Sequence, residues 1–189
     1  STSATAYLLT TSASLNITRL HIINSSSTAQ KFEGTLYNRD GRQLGASDTV
    51  LHSGTIAPDA RIILTSPDIE SLFATSPWQG PAILDVKGTA EFDLMTKLVS
   101  PSGLVSNTNC VSRKVAFNVE GSDSDAETFV RLINTGDNLL RNITAEMRDK
   151  SGNRIGDAGV ELKSFLRAKQ AIFLSRTDLE ALFGTWEGV

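Results

Sequence analysis

Two repeated carboxylate pairs are the first side chains in the sequence that could do chemistry. The stretch TSPDIESLF contains Asp68 and Glu70, and the stretch SRTDLEALF contains Asp178 and Glu180. A hydrolase that works with two carboxyl groups needs such a pair facing a cleft. An aspartate at a helix start is also favoured by the exposed N–H groups and the helix dipole. Because both copies carry the pair, the sequence favours this structural role, with Glu70 facing solvent.

Two tryptophans follow these stretches at matching places, Trp78 in WQG and Trp186 in WEG. Indole rings can stack on sugars, so a carbohydrate-binding module that uses Trp78 and Trp186 is the alternative function that the sequence allows. A buried ring at the end of a β-sandwich explains the equivalent positions equally directly. We prefer this core interpretation.

A cluster of acidic residues in the stretch EGSDSDAE is the weak candidate for a metal site. Ca²⁺ prefers several carboxylate and carbonyl oxygens, which a linker between sandwich modules can supply. The stretch lacks a glycine-anchored twelve-residue loop, so a plain acidic linker is preferred and no other cofactor is predicted. The candidate Ca²⁺ ligands are Glu120, Asp123, Asp125 and Glu127.

The remaining reactive side chains have no partners in the sequence pattern. His21 and His52 are not repeated, and His21 aligns with Arg131, which predicts an outward, solvated strand position. Cys110 is the single cysteine, so the chain can form no intrachain disulfide. No glycine-rich phosphate loop and no G-x-S-x-G elbow occur. The sequence therefore predicts no catalytic residue and no enzyme activity.

An internal repeat explains why these residues occur twice. Asn24 and Asn134 end the stretches RLHIIN and VRLIN and lie 110 positions apart, as the two carboxylate pairs do. LYNRDGRQLG matches MRDKSGNRIG after a slip of one residue, and ARIILT matches QAIFLS. Order and spacing persist from the first of these stretches to the tryptophans, which chance does not explain.

Each copy is predicted to consist of strands and one short helix. KFEGTLYN places Phe32 and Leu36 on one face, the period of two that is typical of a strand. Thr65 or Ser175 can cap a helix whose third residue is an aspartate. The apolar stripe expected on the inner side of the two helices is Ile69, Leu72 and Phe73, with Leu179, Leu182 and Phe183.

The sequence predicts an all-β fold of two tandem β-sandwich units, each with one short helix. The first unit spans residues 1–118 with the N-terminal segment, an acidic linker spans 119–127, and the second unit spans 128–189. The repeated motifs RLHIIN, NRDG, TSPDIESLF and WQG resemble immunoglobulin-like or fibronectin-like tandem modules of bacterial secreted and surface proteins. True immunoglobulin domains also carry a Cys…Trp…Cys pattern, which is absent.

This resemblance implies an extracellular, cell-surface or periplasmic protein that serves as a non-enzymatic spacer, adhesion or assembly module. A protein or glycan partner fits that expectation. The net charge of −3 argues against nucleic-acid binding, which requires a basic face. No apolar run approaches the roughly 20 residues that cross a bilayer, so membrane insertion is not expected.

The second unit is predicted to be incomplete. Ser112 lies 34 positions after Trp78, whereas the sequence ends three positions after Trp186. Missing strands would leave exposed strand edges. Three completions are open: a longer natural chain, which we favour, strand complementation by a neighbouring chain or homo-oligomer, or the N-terminal stretch TAYLLTTSASLN.

Overall fold

The computed structural model describes residues 1–8, 10–108, 119–125, 128–149 and 151–187. The chain forms two compact units, Ser1–Val111 and Ser112–Val189. Strands account for 49% of the structure and helices for 9%, which confirms the predicted all-β fold. None of the helices in the described part of the chain is long and apolar enough to cross a membrane.

The first unit contains strands β1 to β8 and helix α1 among its described residues. The elements are β1 (Thr2–Leu8), β2 (Ile17–Ile23), β3 (Phe32–Asn38), β4 (Gln43–Val50), β5 (Arg61–Thr65), α1 (Ser66–Leu72), β6 (Ala82–Gly88), β7 (Asp93–Val99) and β8 (Val105–Asn107).

Two four-stranded antiparallel sheets form the first unit, with strand orders β1–β6–β3–β4 and β5–β2–β7–β8. Leu36 and Leu84 of the first sheet and Leu20 and Ile22 of the second sheet belong to the same buried cluster. Because side chains alternate along a strand, β2 directs Leu20 and Ile22 inward and His21 to the outer face. The two sheets therefore pack as a sandwich around one core.

The N-terminal strand belongs to the first unit. β1 pairs with β6 over its whole length, from Thr2 opposite Gly88 to Leu8 opposite Ala82. The hypothesis that this segment completes the second unit is therefore wrong, since Thr2–Leu8 form the edge strand of the first unit's sheet.

The second unit contains β9 (Phe129–Ile133), β10 (Leu140–Arg148), β11 (Arg154–Leu166), β12 (Ala171–Ser175) and α2 (Arg176–Phe183) among its described residues. They form two two-stranded sheets, β10–β11 and β12–β9. In the repeat, β9 corresponds to β2, β10 to β3, β11 to β4, β12 to β5, and α2 to α1. The buried residues of its core are Val130, Met147, Leu179, Phe183 and Trp186.

A glycine with a positive φ lies against the C-terminal end of each helix. Gly45 has a φ of +68° and Gly156 a φ of +71°, a region that glycine adopts without strain. A Cβ at Gly45 would clash with the carbonyl oxygen of Phe73, and one at Gly156 would lie 2.8 Å from the carbonyl oxygen of Phe183. Both positions therefore require glycine, because of the backbone conformation and because the helix end lies too close for a Cβ atom.

Candidate functional site

The two repeated aspartates complete the capping boxes at the N-termini of the two helices. Asp68 Oδ2 accepts hydrogen bonds from the backbone N–H of Thr65 at 2.8 Å and from its hydroxyl at 2.6 Å. Asp178 Oδ2 accepts the same two bonds from Ser175, both at 2.8 Å. The N–H of each aspartate donates back to the capping hydroxyl, which completes a capping box. The predicted structural role of both aspartates is confirmed.

The prediction that Glu70 faces solvent is wrong. Its side chain is 7% exposed, and Oε1 accepts a hydrogen bond from the backbone N–H of Ser12 at 2.9 Å. The hydroxyl of Ser66 donates to the carbonyl oxygen of Thr10 at 2.7 Å. Helix α1 therefore holds the segment that follows β1. A buried carboxylate needs such a donor to offset the loss of hydration.

Both tryptophans lie in hydrophobic cores, as the core interpretation predicts. Trp78 is 6% and Trp186 is 5% exposed, and each belongs to the core cluster of its own unit. A shallow groove adjoins each ring, beside the β3–β4 turn in the first unit and the β10–β11 turn in the second. Sugar binding at Trp78 and Trp186 stays a prediction.

The described part of the acidic stretch lies within the second compact unit and is hydrogen-bonded to its C-terminal helix region. The N–H of Ser122 donates to the carbonyl oxygen of Trp186 at 2.8 Å, and Arg176 Nη1 donates to the carbonyl oxygen of Gly121 at 3.1 Å. Among the described residues, no three His, Cys, Asp or Glu side chains group as a metal site requires. Glu127 and Cys110 lie outside the described residues. The Ca²⁺ candidate stays a prediction.

In the part of the chain that the structure describes, β9 and β10 each have one neighbouring strand, whereas their counterparts have two. β2 lies between β5 and β7, and β3 lies between β4 and β6. Within the described ranges, β9 pairs with β12 alone and β10 with β11 alone. A strand with an open side presents backbone N–H and C=O groups that can pair with another chain. These two open sides are the repeat's clearest binding geometry.

The hydrogen bonds that end each strand show which backbone groups face the open side. The N–H of Asn134 donates to Gln170, so alternation along β9 directs the backbone groups of Ile133 to the open side. The N–H of Asp149 donates to Asn153, so the backbone groups of Glu146 face the open side of β10.

An exposed aromatic pair on the outer face of β9 and β12 was not found from the sequence. The rings of Phe129 and Phe173 stack with centroids 5.0 Å apart, and the side chains are 47% and 45% exposed. The guanidinium of Arg131 lies 5.2 Å from the Phe173 centroid. The signal was available, because the counterparts of Phe129 and Phe173 in the first copy are Arg19 and Ile63.

His21 was also misjudged from the sequence. It lies on the outer face of β2 as predicted, but it is 7% exposed, so the predicted solvated environment is wrong. Its Nε2 atom has no hydrogen-bond partner among the described residues.

A comparison with family models, curated proteins and solved structures finds no match to this chain. The resemblance to immunoglobulin-like or fibronectin-like modules therefore stays a prediction.

Proposed function

We propose that the chain is a non-enzymatic assembly module whose second unit binds an extended polypeptide segment by strand addition. The observation that supports this function is that, among the described residues, β9 and β10 each pair with one strand, whereas their counterparts β2 and β3 are central strands. The setting we propose is an exported bacterial protein, at the cell surface, outside the cell or in the periplasm. That setting is supported by the sequence resemblance alone.

The repeat indicates what the bound segment resembles. In the first unit, β6 and β7 occupy the sides of β3 and β2 that are open on β10 and β9. Ala82, Leu84 and Val86 of β6 alternate along the strand and belong to the buried core cluster. On the opposite face Ile83 is also buried, and Lys87 is exposed. The proposed partner is therefore a two-strand segment with apolar side chains at alternate positions. In such complexes the main-chain hydrogen bonds supply affinity and the alternating side chains supply specificity.

The contacts of the repeated carboxylates support a non-enzymatic function. Asp68 and Asp178 bind backbone and hydroxyl groups at helix starts, and Glu70 binds the N–H of Ser12. Duplicated capping contacts serve the common fold of the two units. Asp68, Asp178 and Glu70 are therefore bound to groups of the chain, whereas a hydrolase would require its carboxylates to face a substrate.

A peptide that spans Ala82–Val99, the β6–β7 region of the first unit, is the probe for strand addition. We expect it to slow amide hydrogen exchange in β9 and β10 of the full chain. Exchange in β2 and β3 serves as the internal control, because those strands already have two neighbours. Equal effects on both sets of strands, or no effect on β9 and β10, would contradict the proposal. Protection that rises with protein concentration without peptide would identify a second copy as the donor.

A matched pair of variants at Glu146 tests the contact itself. Glu146→Pro removes a backbone N–H from the open side of β10, whereas Glu146→Ala keeps it. Both changes remove the exposed Arg148–Glu146 ion pair, which contributes only about 0–1 kcal/mol. We expect the peptide to bind the Pro variant about tenfold or more weakly than the Ala variant, because a ladder hydrogen bond is lost. Equal affinities in two variants with the same circular dichroism would count against strand addition.

A further inference from the structure

A cluster of cations surrounds His21 on the outer face of the second sheet. Arg19 lies two residues before His21 on β2, so both side chains point to the same face. Lys97 of β7 is directly opposite Arg19, and Arg61 of β5 is directly opposite Ile23. Arg61 and Lys97 are therefore diagonal to His21, and Arg19 is its neighbour on the same face of β2. The imidazole of His21 thus has three permanent cations around it.

These positive charges repel one another when nothing lies between them. Like charges directly opposite on neighbouring strands are destabilising, and Arg19 and Lys97 form such a pair. Within the described residues, no ion pair involves Arg19, Arg61 or Lys97. The strands β2, β5 and β7 place one carboxylate on this face, Asp93, which lies opposite Ile23 and is therefore diagonal to His21 on the β7 side. β8 contains no titratable side chain.

His21 adds an unpartnered polar atom to this cluster. The side chain is more than nine-tenths buried, and Nε2 makes no hydrogen bond within the described residues. Burial, and then the charges of Lys97, Arg61 and Arg19, hold the pKa of His21 below its ordinary value of 6.5. An unpaired buried nitrogen among cations is costly for the fold alone.

The second unit shows that the common fold does not require this cluster. At the 110-residue spacing of the repeat, Phe129 stands in place of Arg19 and Ala171 stands in place of Arg61. The capping residues and the glycines at the helix ends are retained in both units, whereas these outer-face residues are not. The cluster is therefore specific to the first unit, and the fold that the two units share does not need it.

We propose that the outer face of β5–β2–β7 binds a doubly charged oxyanion, the sulfate or phosphate group of a ligand, between His21 and the three cations. Guanidinium groups match the planar edge of such oxyanions with two parallel hydrogen bonds, and Lys97 supplies a further charged donor. When protonated, imidazole donates from both nitrogens, so Nε2 gains its missing partner. The anion also removes the repulsion between Arg19 and Lys97.

Binding is coupled to protonation of His21. The cations lower the pKa of His21 in the free protein, and a bound oxyanion reverses part of that field and raises it. The protein therefore takes up a proton on binding at a pH between the two pKa values. Affinity is highest below the free-state pKa and falls as the pH rises through the bound-state pKa.

Proton NMR of the two histidines in the full chain tests this site. Inorganic sulfate and inorganic phosphate are the probes, added at constant ionic strength with chloride as balance, between about pH 5 and about pH 8. We expect a saturable shift of the His21 ring resonances and a rise in the His21 pKa by about one unit. The His52 resonances serve as the internal control. Equal responses of both histidines, or no saturation, overturn the proposal.

Charge-removing variants locate the site and a sulfate ester identifies the source of the anion. We expect Arg61→Gln and Lys97→Gln each to weaken sulfate binding about tenfold, as the loss of a charge-assisted hydrogen bond predicts. Arg131→Gln, at the counterpart of His21 in the second unit, is the control and leaves binding unchanged. A sulfated disaccharide that binds more tightly than inorganic sulfate places the anion on a glycan, and a weaker one indicates the free ion. Unchanged affinity in both first-unit variants overturns the site.

Discussion

At the scale of single residues, buried amide side chains organise the loops of both units. Asn24 Nδ2 donates to the carbonyl oxygens of Thr28 and Ile56, each at 2.8 Å. Asn134 Nδ2 donates to the carbonyl oxygen of Asn138 at 2.7 Å and to that of Leu166 at 3.1 Å. These asparagines end the stretches RLHIIN and VRLIN. Their conservation within the repeat follows from the cost of leaving buried carbonyl groups without a donor.

The aspartate in the capping box of α2, Asp178, makes the stability of that helix dependent on pH. The N–H and hydroxyl of Ser175 hold the pKa of Asp178 below its ordinary value of 3.8. A carboxyl whose pKa is lower in the folded state stabilises the fold above its unfolded-state pKa. This contribution is lost as the pH falls through the folded-state pKa.

Asp178→Asn removes that pH-dependent contribution. We expect the variant to be less stable than the wild type at about pH 7, and the difference to shrink towards about pH 3, where the wild-type carboxyl is also neutral. Amide exchange in α2 at the two pH values measures this difference, with Asp68 left intact in the first unit as a reference. A difference that stays constant with pH would contradict the assignment.

At the scale of elements, local chemistry was predictable and long-range contacts were not. The helices, their capping boxes and the burial of Ile69 and Phe73 follow from residues within one stretch of sequence, and the structure confirms them. Leu72, predicted on the inner stripe, is 36% exposed, because the short helix covers the core with one narrow edge. Glu70 is buried only because β1 brings Ser12 over it, a contact between residues 58 positions apart.

His21 shows the same limit. The alternation of β2 predicts its outer face, but the charges around it come from β5 and β7. Strand neighbours and their register are decided by the whole sheet, so one sequence did not reveal Lys97 opposite Arg19. The prediction that the second copy is incomplete came from counting the repeat along the sequence, and among the described residues β9 and β10 each pair with one strand.

The contact between each helix end and a glycine is an element-scale interaction that a matched pair of variants can measure. Gly45→Ala introduces a Cβ against the carbonyl oxygen of Phe73, whereas a Cβ at Gly103 has no atom within 4 Å. Both glycines have positive φ, +68° and +84°, so both variants carry left-handed strain of about 1–2 kcal/mol. We expect Gly45→Ala to lower the free energy of unfolding by at least about 1 kcal/mol more than Gly103→Ala, as overpacking costs. Urea unfolding measures the free energy of unfolding of both variants. Equal losses of stability would show that the helix end moves away from the new Cβ at no cost.

At the scale of the whole chain, the repeat separates residues that build the unit from residues that distinguish the two copies. Capping boxes, helix-end glycines and buried tryptophans occur in both units. The outer faces differ, with cations around His21 in the first unit and stacked Phe129 and Phe173 in the second. Because the shared residues account for the fold, the divergent faces and the open strand sides are where binding is expected to differ.

The two units are also expected to differ in stability. The core of the first unit contains fully buried residues from two four-stranded sheets, whereas the second unit's core has five buried residues on two-stranded sheets within the described ranges. Hydrophobic stabilisation scales with the apolar area removed from water. In a two-stranded sheet each strand is held by one neighbour only, so its backbone hydrogen bonds open more readily. Amides of β9–β12 should therefore exchange at least about tenfold faster than those of β2–β5, a difference of about 1.4 kcal/mol in opening free energy. Native-state hydrogen exchange compares the two sets of strands within one molecule, which removes differences in sample and buffer. Equal protection would show that the second unit is stabilised by something other than its own strands. The peptide Ala82–Val99 would then be expected to add no further protection, and strand addition would lose its energetic basis.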